Sequence, residues 1–459
     1  MAAACTTGYR AASRLPTDAM SSIPLAHGAP VFRPEPRVRA AEWRAVLVSS
    51  AYFFSVLSAY YMVRPVREQL SAAVGSTQLP LFYAATFVVT LCLTPVFAWL
   101  VSRFPRRVVV PAVYAFFIAC LLAFVPLFAR EDLLGPRALG ALFFVWVSVF
   151  NLFVVSVFWS FMNDVWSEPQ ARRLFPVIAV GGTLGALAGP VLTRTLVGII
   201  GVAPLLVVSA ALLSVGMGCV VWMGRWAREH GERRHQSGHE APIGGGMLDG
   251  LRQILSDPVM RAMALLLLLA DGIGTVNYAL VADYSGATFE SSVERTAFAA
   301  NVDIASNVLT IVLQLLVTRW LLPLRGPGAL IAVWGVVGVV TLTLVAMVDD
   351  PHAPLAFGLP AVALALIVGR GMAYGMAEPA RHAFFSRLPR SERYKGQNAI
   401  DTAVWRFGDL IISQGMNILR AGGLAIGGFA ALSACAAAGA SGVGWWLSRH
   451  VPKRPDAVN

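Results

Sequence analysis

The chain has 459 residues, of which 57% are hydrophobic and only 13% are charged. Its mean hydropathy of +0.66 excludes an ordinary soluble globular domain and indicates a membrane protein. The formal net charge of +11 suits basic loops that orient such a protein in the bilayer. Binding to nucleic acid is not expected, because no basic domain with interleaved aromatic residues is long enough to dock a duplex.

Residues 1–42 precede the first apolar segment and are rich in Ala, Ser, Pro and Arg. They lack the continuous apolar stretch of a signal peptide. Asp18 and the prolines up to Pro36 favour a disordered cytoplasmic tail over an organelle transit peptide, and a start at Met20 is an alternative. The five cysteines show no Cys-x-x-Cys spacing, so neither a disulfide framework nor a metal site is indicated.

Apolar segments of about 20 residues, long enough to span a bilayer, recur along the chain. We predict twelve spans, at 43–63, 79–102, 108–129, 138–162, 176–198, 202–223, 258–282, 297–320, 328–348, 354–377, 397–419 and 423–447. The boundary between the fifth and sixth spans is the least distinct, because only a tight turn separates them. With the N-terminus inside, the large majority of the 36 basic residues fall at cytoplasmic ends, so both termini are predicted to be cytoplasmic.

A polar, Gly-rich stretch at 224–257 separates six spans from six. The predicted fold class is therefore an all-α membrane protein with two six-helix bundles, 43–223 and 258–449, and a short cytoplasmic tail, 450–459. His230, His235 and His239 in the linker could bind a metal, but their spacing fits no standard ligand pattern. A solvated basic loop is the preferred interpretation, and no cofactor is expected.

The two halves repeat each other. VSRFPRRVVV (101–110) after the second span is echoed by VTRWLLPLRG (317–326) after the eighth, and EPQARRLF (168–175) is echoed by RSERYKGQ (390–397). Parallel repeats of six spans are typical of major-facilitator transporters. In that superfamily the loop after the second span carries a cytoplasmic gating motif, and Arg103, Arg106 and Arg107 resemble a degenerate version of it.

Charged residues near the exit of the first span, YYMVRPVREQL (60–70), form one candidate site. Arg64, Arg67 and Glu68 are either an interfacial anchor with snorkelling side chains or a group that recognises an anion. The second interpretation follows from the planar guanidinium, which binds phosphate or carboxylate through two parallel hydrogen bonds.

A second charged cluster ends the fourth span. Asn163 and Asp164, with Arg172 and Arg173 after them, form either a charge-paired inner gate or an ordinary helix end. In the fifth span, Gly181, Gly185 and Gly189 form a small-xxx-small face that predicts close helix packing. The same face followed by Pro190 also resembles the antiporter motif of facilitator-type drug exporters.

Ionisable residues inside the later spans are the most informative, since a charge at mid-bilayer costs about 2.5 to 3.5 kcal/mol on insertion scales. Such residues must face the interior, pair with each other or bind a ligand; they are Asp271, Asp303, Arg370, Arg406 and Asp409. Asn307 and Gln314 share a helical face with Asp303, which predicts a cavity wall. Arg406 and Asp409 are three residues apart and can also pair within one helix as a purely structural ion pair.

The segments FWSFMND (158–164) with SEPQARRLF (167–175), and EPAR (378–381) with RYKGQNAIDTAVWRFGD (393–409), resemble the ATP/ADP antiporter family of obligate intracellular bacteria and plastids. The free-living bacterial relatives of that family are the closer match. The resemblance implies a twelve-span transporter that exchanges nucleotides and holds their phosphates with basic residues. By position, the resemblance implies three charged elements. The outer element comprises Arg64, Arg67 and Glu68. The element between spans four and five comprises Asn163, Glu168, Arg172 and Arg173, and the element between spans ten and eleven comprises Lys395 and Asp401. The chain departs from the family at Gly408-Asp409-Leu410-Ile411, where nucleotide-exchanging members have Gly-Lys-Ser-Gly.

The sequence as a whole predicts a monomeric solute transporter of a bacterial inner membrane, working by alternating access on an anionic or phosphorylated small molecule. The predicted substrate-binding residues are Arg64, Arg67, Glu68, Asp271, Asp303, Asn307, Arg370, Arg406 and Asp409. The predicted cytoplasmic gate is Arg103, Arg106, Arg107, Asn163, Asp164, Arg172, Arg173, Arg393, Lys395 and Asp401. An enzyme is not expected, because no metal set, nucleophile elbow or P-loop occurs. The alternatives are a proton-coupled carrier of a non-nucleotide solute and a non-transporting receptor or assembly factor.

Overall fold

The structure is a computed structural model. It describes residues 38–39, 42–103, 106–130, 134–230, 252, 254–356, 358–388, 400 and 404–451. The predicted tail up to residue 37, most of the predicted linker, with His235 and His239, and the predicted gate residues Arg393, Lys395 and Asp401 lie outside the described residues.

Twelve helices follow the predicted order of spans in the described part of the chain. The first half comprises α1 (Trp43–Val74), α2 (Leu79–Arg103), α3 (Arg106–Ala129), α4 (Gly135–Val165), α5 (Glu168–Ile200) and α6 (Val202–His230). The second half comprises α7 (Pro258–Thr288), α8 (Ser292–Arg325), α9 (Pro327–Met347), α10 (Ala361–Phe385), α11 (Trp405–Ala421) and α12 (Ile426–His450). Short π-helical stretches, Gln314–Thr318 and Ala373–Ala377, interrupt α8 and α10.

The helices have the length and composition of a multi-pass membrane protein. Of those described, every helix except α11 is long and apolar enough to cross a bilayer, which makes 11. The helix α11 has 17 residues from Trp405, and residues 389–399 and 401–403 before it lie outside the described part. The prediction of an all-α membrane fold is confirmed.

Three predicted boundaries were wrong. The first span was placed at 43–63, but α1 continues through Pro65 to Val74. Arg64, Arg67 and Glu68 therefore lie inside a helix and not at its exit. The tenth span was predicted from 354, but Pro354–Ala356 and Leu359–Pro360 form a short antiparallel hairpin before α10. The predicted linker begins later than 224, because α6 continues to His230.

Close packing of α1 on α5 organises the first half. A Cβ at Gly181 or Gly185 would come closer than 3.0 Å to backbone atoms of Ser50 or Phe54, a separation that real side chains do not adopt. Glycine at these positions lets the two backbones touch, which confirms the predicted small-xxx-small interface. Phe53 of α1 stacks on Phe158 of α4, with ring centroids 4.1 Å apart, and extends the same core.

The apolar interior is divided between the halves. One cluster of buried side chains runs from Ala45 to Met223, and a second from Ile254 to Val451 is joined by Leu79, Phe82 and Phe144 of the first half. Between the halves, α1 contacts α7 and α8, α5 contacts α8, and α2 contacts α11. Together with a smaller contact of α6 on α8, these contacts join the two halves.

Candidate functional site

A cavity of about 550 Å³ lies between the two halves. Its walls come from α1, α2 and α4 of the first half and from α7, α9, α10 and α11 of the second. This volume is within the range of small-molecule sites, which is about 300 to 1,000 Å³. Arg64 of α1 lies in its wall.

An ion triad connects the halves beside this cavity. Asp303 of α8, only 1% exposed, accepts a hydrogen bond of 2.7 Å from Nη1 of Arg370 on α10. Its other oxygen, Oδ2, lies 3.7 Å from Nε of Arg64 on α1. A buried carboxylate needs such compensation, because an uncompensated charge in a dry interior costs several kcal/mol, at least about 3. The pair Arg64–Asp303 is therefore a direct electrostatic link across the interface.

The next turn of α1 adds a second ion cluster. Nη2 of Arg67 lies 2.7 Å from Oε1 of Glu68, and Nε of Arg64 lies 3.5 Å from the same oxygen. The Arg67 guanidinium also lies over the Phe144 ring, 4.9 Å from its centroid. The Nε atoms of Arg64 and Arg67 are shielded from solvent and have no hydrogen-bond partner among the described residues. Buried donors without partners are rare and are the positions where a bound anion gains most.

Two further carboxylates lie at the opposite wall. Asp409 of α11 is 8% exposed and accepts a hydrogen bond of 3.0 Å from the Thr275 hydroxyl of α7. Asp271, one turn before Thr275, also lines the cavity. Among the described residues neither carboxylate forms an ion pair, so the predicted pair of Arg406 with Asp409 is not made in this conformation. Arg406 lies in the cavity wall beside them.

Aromatic side chains supply much of the remaining surface. Eight of them line the cavity: Tyr60, Tyr61, Tyr83, Phe144, Tyr278, Trp334, Tyr374 and Trp405. Such a lining offers flat apolar faces between the charged walls. The chemistry available is thus the binding of a solute with a polar group and an apolar body.

We call the end of the bundle that carries the α1–α2 and α7–α8 turns the outer end. There a polar latch, formed by Ser76, Asp283, Asn417 and Arg420, holds the halves together. Asp283 of α7 accepts hydrogen bonds from the backbone N–H of Ser76 at 2.9 Å and from its hydroxyl at 2.7 Å. Nη2 of Arg420 on α11 lies 2.9 Å from Asp283 Oδ2, and Nη1 donates to the Ser76 hydroxyl oxygen. Asn417 donates to the Thr77 carbonyl at 2.9 Å. These bonds join the two halves at this end.

The structure places Asn307 away from the predicted cavity wall. Its side-chain amide donates to the Ala186 carbonyl of α5 at 2.8 Å, so it joins the halves and does not face the cavity. Gln314, expected on the same wall, is exposed and donates to the Tyr374 carbonyl. The reason is geometric: α8 presents this face to α5 and α10, and only Asp303 reaches the arginines.

The predicted gate residues are spread along the helix ends opposite the latch. Arg103, Asn163 and Asp164 are exposed at the ends of α2 and α4. Arg173 makes a bidentate ion pair with Glu42, at 2.8 and 2.9 Å, and so links α5 to the start of α1 within one half. Arg106 and Arg107 begin α3, and Arg172 lies in the second turn of α5.

The environment of Glu42 is well defined electrostatically. Burial alone would raise the pKa of its carboxyl. Hydrogen bonds from Arg173, from the backbone N–H of Arg39 and from Gln170, together with the Arg173 charge, outweigh burial and hold the pKa below its usual range. Glu42 is therefore a carboxylate at neutral pH and fixes the first turn of α1.

Sequence reasoning missed several residues of the site. Thr275 and Tyr278 follow Asp271 at offsets of four and seven on α7, a helical spacing that could have identified both. Ser76, Asp283 and Arg420 of the latch had no such signal, because their partners are distant in sequence.

The arrangement can be compared with known proteins. No family model matches the sequence, and no curated protein matches it. Solved structures do share its fold. A point mutant of the nucleoside transporter NupG is 13% identical, with a TM-score of 0.61, over 88% of this chain and 99% of that one. A bacterial homologue of the human lysosomal transporter Spinster, in an inward-facing and unoccupied conformation, is 10% identical with a TM-score of 0.59, over 90% and 98%. A POT family transporter in complex with a thioalcohol-conjugated peptide is 11% identical with a TM-score of 0.60, over 89% and 97%. The fold is that of the major-facilitator transporters, with two helical bundles.

Proposed function

We propose that this protein is a bacterial inner-membrane transporter that moves a small organic anion by alternating access, with both termini in the cytoplasm. The observation that supports this most directly is the buried arginine set at the interface of the two halves. Arg64 and Arg67 come from α1 and Arg370 from α10, so an anion held among them is gripped by both halves. A shared central site is what rocking of one bundle against the other requires.

The conformation fits one state of such a cycle. The latch closes the outer end, while Arg381 and Trp405 from the cytoplasmic ends of α10 and α11 line the cavity. We interpret this as an inward-facing state. The Arg64–Asp303 contact, 3.7 Å long and without a hydrogen bond at Nε, is weak enough for a substrate anion to replace.

The charge of the cargo is limited by the carboxylates around the arginines. Five arginines line the cavity: Arg64, Arg67, Arg370, Arg381 and Arg406. Five acids oppose them: Glu68, Asp271, Asp303, Glu378 and Asp409. A polyanion would leave several of its charges without a free cation in a poorly hydrated site. We therefore propose a cargo with one anionic group and an aromatic or apolar body in preference to ATP or ADP, which the family resemblance would suggest.

Binding and uptake test the proposal in two steps. Thermal stabilisation of the detergent-purified protein ranks the probes benzoate, indole-3-acetate, AMP, ADP and ATP, and the best one is then followed into proteoliposomes. We expect a monoanion to stabilise more than ATP. Arg67→Gln should lower uptake about 10- to 150-fold, since one hydrogen bond to a charged group contributes about 1.5 to 3 kcal/mol. Arg449→Gln is the matched control, because Arg449 lies over Trp445 at the cytoplasmic end of α12.

The non-transporting alternative predicts a different outcome. With the native cysteines replaced, cysteines at Thr77 and Asn417 can be joined by a short bis(methanethiosulfonate) reagent, which forms a disulfide with each thiol, because the Asn417 amide bonds to the Thr77 carbonyl. Uptake should stop when the crosslink forms and return when it is reduced. A cellular function that persists with the halves locked would show that this protein is a receptor or an assembly factor.

A further inference from the structure

Asp271 and Asp409 form a second chemical site in the cavity. Gly408 precedes Asp409 on α11, and a Cβ at this glycine would lie only 3.2 Å from Oδ2 of Asp271. The Asp271 side chain thus reaches across from α7 to the α11 backbone beside Asp409. Asp409 accepts its hydrogen bond from Thr275, one turn after Asp271 on α7, so both acids lie at the same α7–α11 contact. Oδ2 of Asp271 is shielded from solvent and has no hydrogen-bond partner among the described residues.

An ionised Asp271 would be a buried charge with no donor at Oδ2 and no cation within 4.0 Å among the described residues, which is costly in a poorly hydrated interior, whereas a protonated carboxyl group is neutral. Two ionised carboxylates at about 4 Å would repel by about 4 kcal/mol at an effective dielectric constant of about 20. Asp409 is nine-tenths buried, so water screens this repulsion poorly. One proton bound by the pair removes the repulsion.

The surroundings make this proton exchangeable. Facing the pair are Arg67 of α1, Tyr83 of α2, Thr275 and Tyr278 of α7, and Trp405 and Arg406 of α11. Unlike Asp303 and Glu68, which are ion-paired, neither acid of this pair has an arginine within 4.0 Å in the described part of the chain. The Arg406 charge acts on both at longer range and favours loss of the proton. The Thr275 hydrogen bond favours the ionised form of Asp409.

We propose that Asp271 and Asp409 together form a proton-binding site that couples the cavity to the proton gradient. In the loaded form one of the two carboxyl groups carries the proton and the other is ionised. On release the O–H bond breaks, the proton passes to water in the cavity, and both acids remain as carboxylates beside Arg406. No redox partner is needed. The coupling rests on the proposed transport function, whereas the proton site itself does not.

Infrared spectroscopy of the purified full-length protein tests the site without a transported substrate. A protonated carboxyl group has a C=O stretching band that is separate from the carboxylate bands and shifts in heavy water. We expect the wild type to keep one such band at pH 7 and to lose it as the pH rises. Asp271→Asn and Asp409→Asn should each remove the band, because the remaining acid ionises beside Arg406. Asp350→Asn, at an exposed outer turn, is the control and should keep it.

Loss of the band in at least one of the two cavity variants, with retention in Asp350→Asn, supports the site, and retention in both cavity variants overturns it. Thr275→Val gives a second measurement that tolerates poor folding of the aspartate variants. It removes a hydrogen bond to the ionised Asp409, so the band should persist to higher pH, and an unchanged titration counts against the pair.

Repeating the wild-type titration in sodium and in choline chloride identifies the ligand. A midpoint that moves with sodium would overturn the proton assignment in favour of a cation site. Failure of every uptake assay would refute transport and leave these infrared results unaffected.

Discussion

The outer latch yields a quantitative prediction about the balance between a closed and an open state of the outer end. Replacing Asp283 by Ala removes an ion pair to Arg420 and two hydrogen bonds from Ser76. The side chains of Arg420 and Asp283 are 31% and 32% exposed, so their ion pair contributes as much as a surface pair does, about 0.2 to 1 kcal/mol. The two hydrogen bonds add about 1 kcal/mol each. The sum, about 2 to 3 kcal/mol, changes the equilibrium about 30- to 150-fold.

Distance measurements between spin labels can detect this shift. Leu134 and Leu355 are 45% and 60% exposed at the outer ends of the first and second halves, and they are suitable labelling sites once the native cysteines are replaced. We expect a single short distance in the wild type and an additional, longer distance in Asp283→Ala. Asp283→Asn should give a smaller fraction of the long distance, because it keeps one acceptor oxygen.

The matched control is Glu294→Ala. Glu294 also lies at the outer end, but among the described residues it bonds only to the neighbouring Ser291 in the capping box of α8. Its removal should weaken one helix end and leave the distance distribution unchanged. An unchanged distribution in Asp283→Ala, in protein that elutes and melts as the wild type does, would refute the role of the latch.

Three more predictions concern stability in detergent, each measured by thermal unfolding. Arg370→Ala removes the nearest cation of a buried carboxylate and should cost about 3 to 5 kcal/mol, while Arg370→Lys should cost less. Gly185→Ala should reduce folded yield severely because its Cβ meets the α1 backbone, whereas Gly198→Ala, with open space around it, should be harmless. The pKa of Glu42 is lower in the folded protein than in the unfolded chain. Its carboxylate therefore stabilises the fold at any pH above the unfolded-state pKa, and this stabilisation is lost as the pH falls through the folded-state pKa. Glu42→Gln should therefore melt lower at pH 7 and lose part of its acid sensitivity, and an identical pH dependence to wild type would contradict the assignment.

Sequence reasoning placed the helices well because a bilayer fixes their length and apolar character. The predicted helix ends were wrong where charged side chains are buried inside the protein. Arg64 and Glu68 lower the local hydropathy, so the first span was ended at residue 63, yet these side chains are compensated inside a helix that continues to Val74. Hydropathy cannot distinguish a charge that meets water from one that meets a counter-ion.

Partners were harder to predict than sites. The sequence requires that Asp303 be compensated, but it cannot select Arg370, 67 positions away, together with Arg64 on the other half. The Ser76–Asp283 bond spans 207 positions, and it depends on how two helix ends meet in space. Asp271 and Asp409 were identified singly for the same reason, and only their meeting across α7 and α11 indicates shared chemistry.

The latch can close only because α1 and α7 touch at the outer end, and one glycine controls this contact. A Cβ at Gly286 of α7 would come closer than 3.0 Å to the carbonyl oxygen of Ala72 on α1. Gly286→Ala must therefore separate the two backbones, which breaks the hydrogen bonds of Asp283 three residues earlier without altering any latch residue. We expect the same long spin-label distance as in Asp283→Ala, and Gly274→Ala, in open space on the same helix, should leave it absent. If Gly286→Ala kept the short distance, the α1–α7 contact would have absorbed the added methyl group without opening the outer end. Close packing at Gly286 would then not be what allows the latch to form.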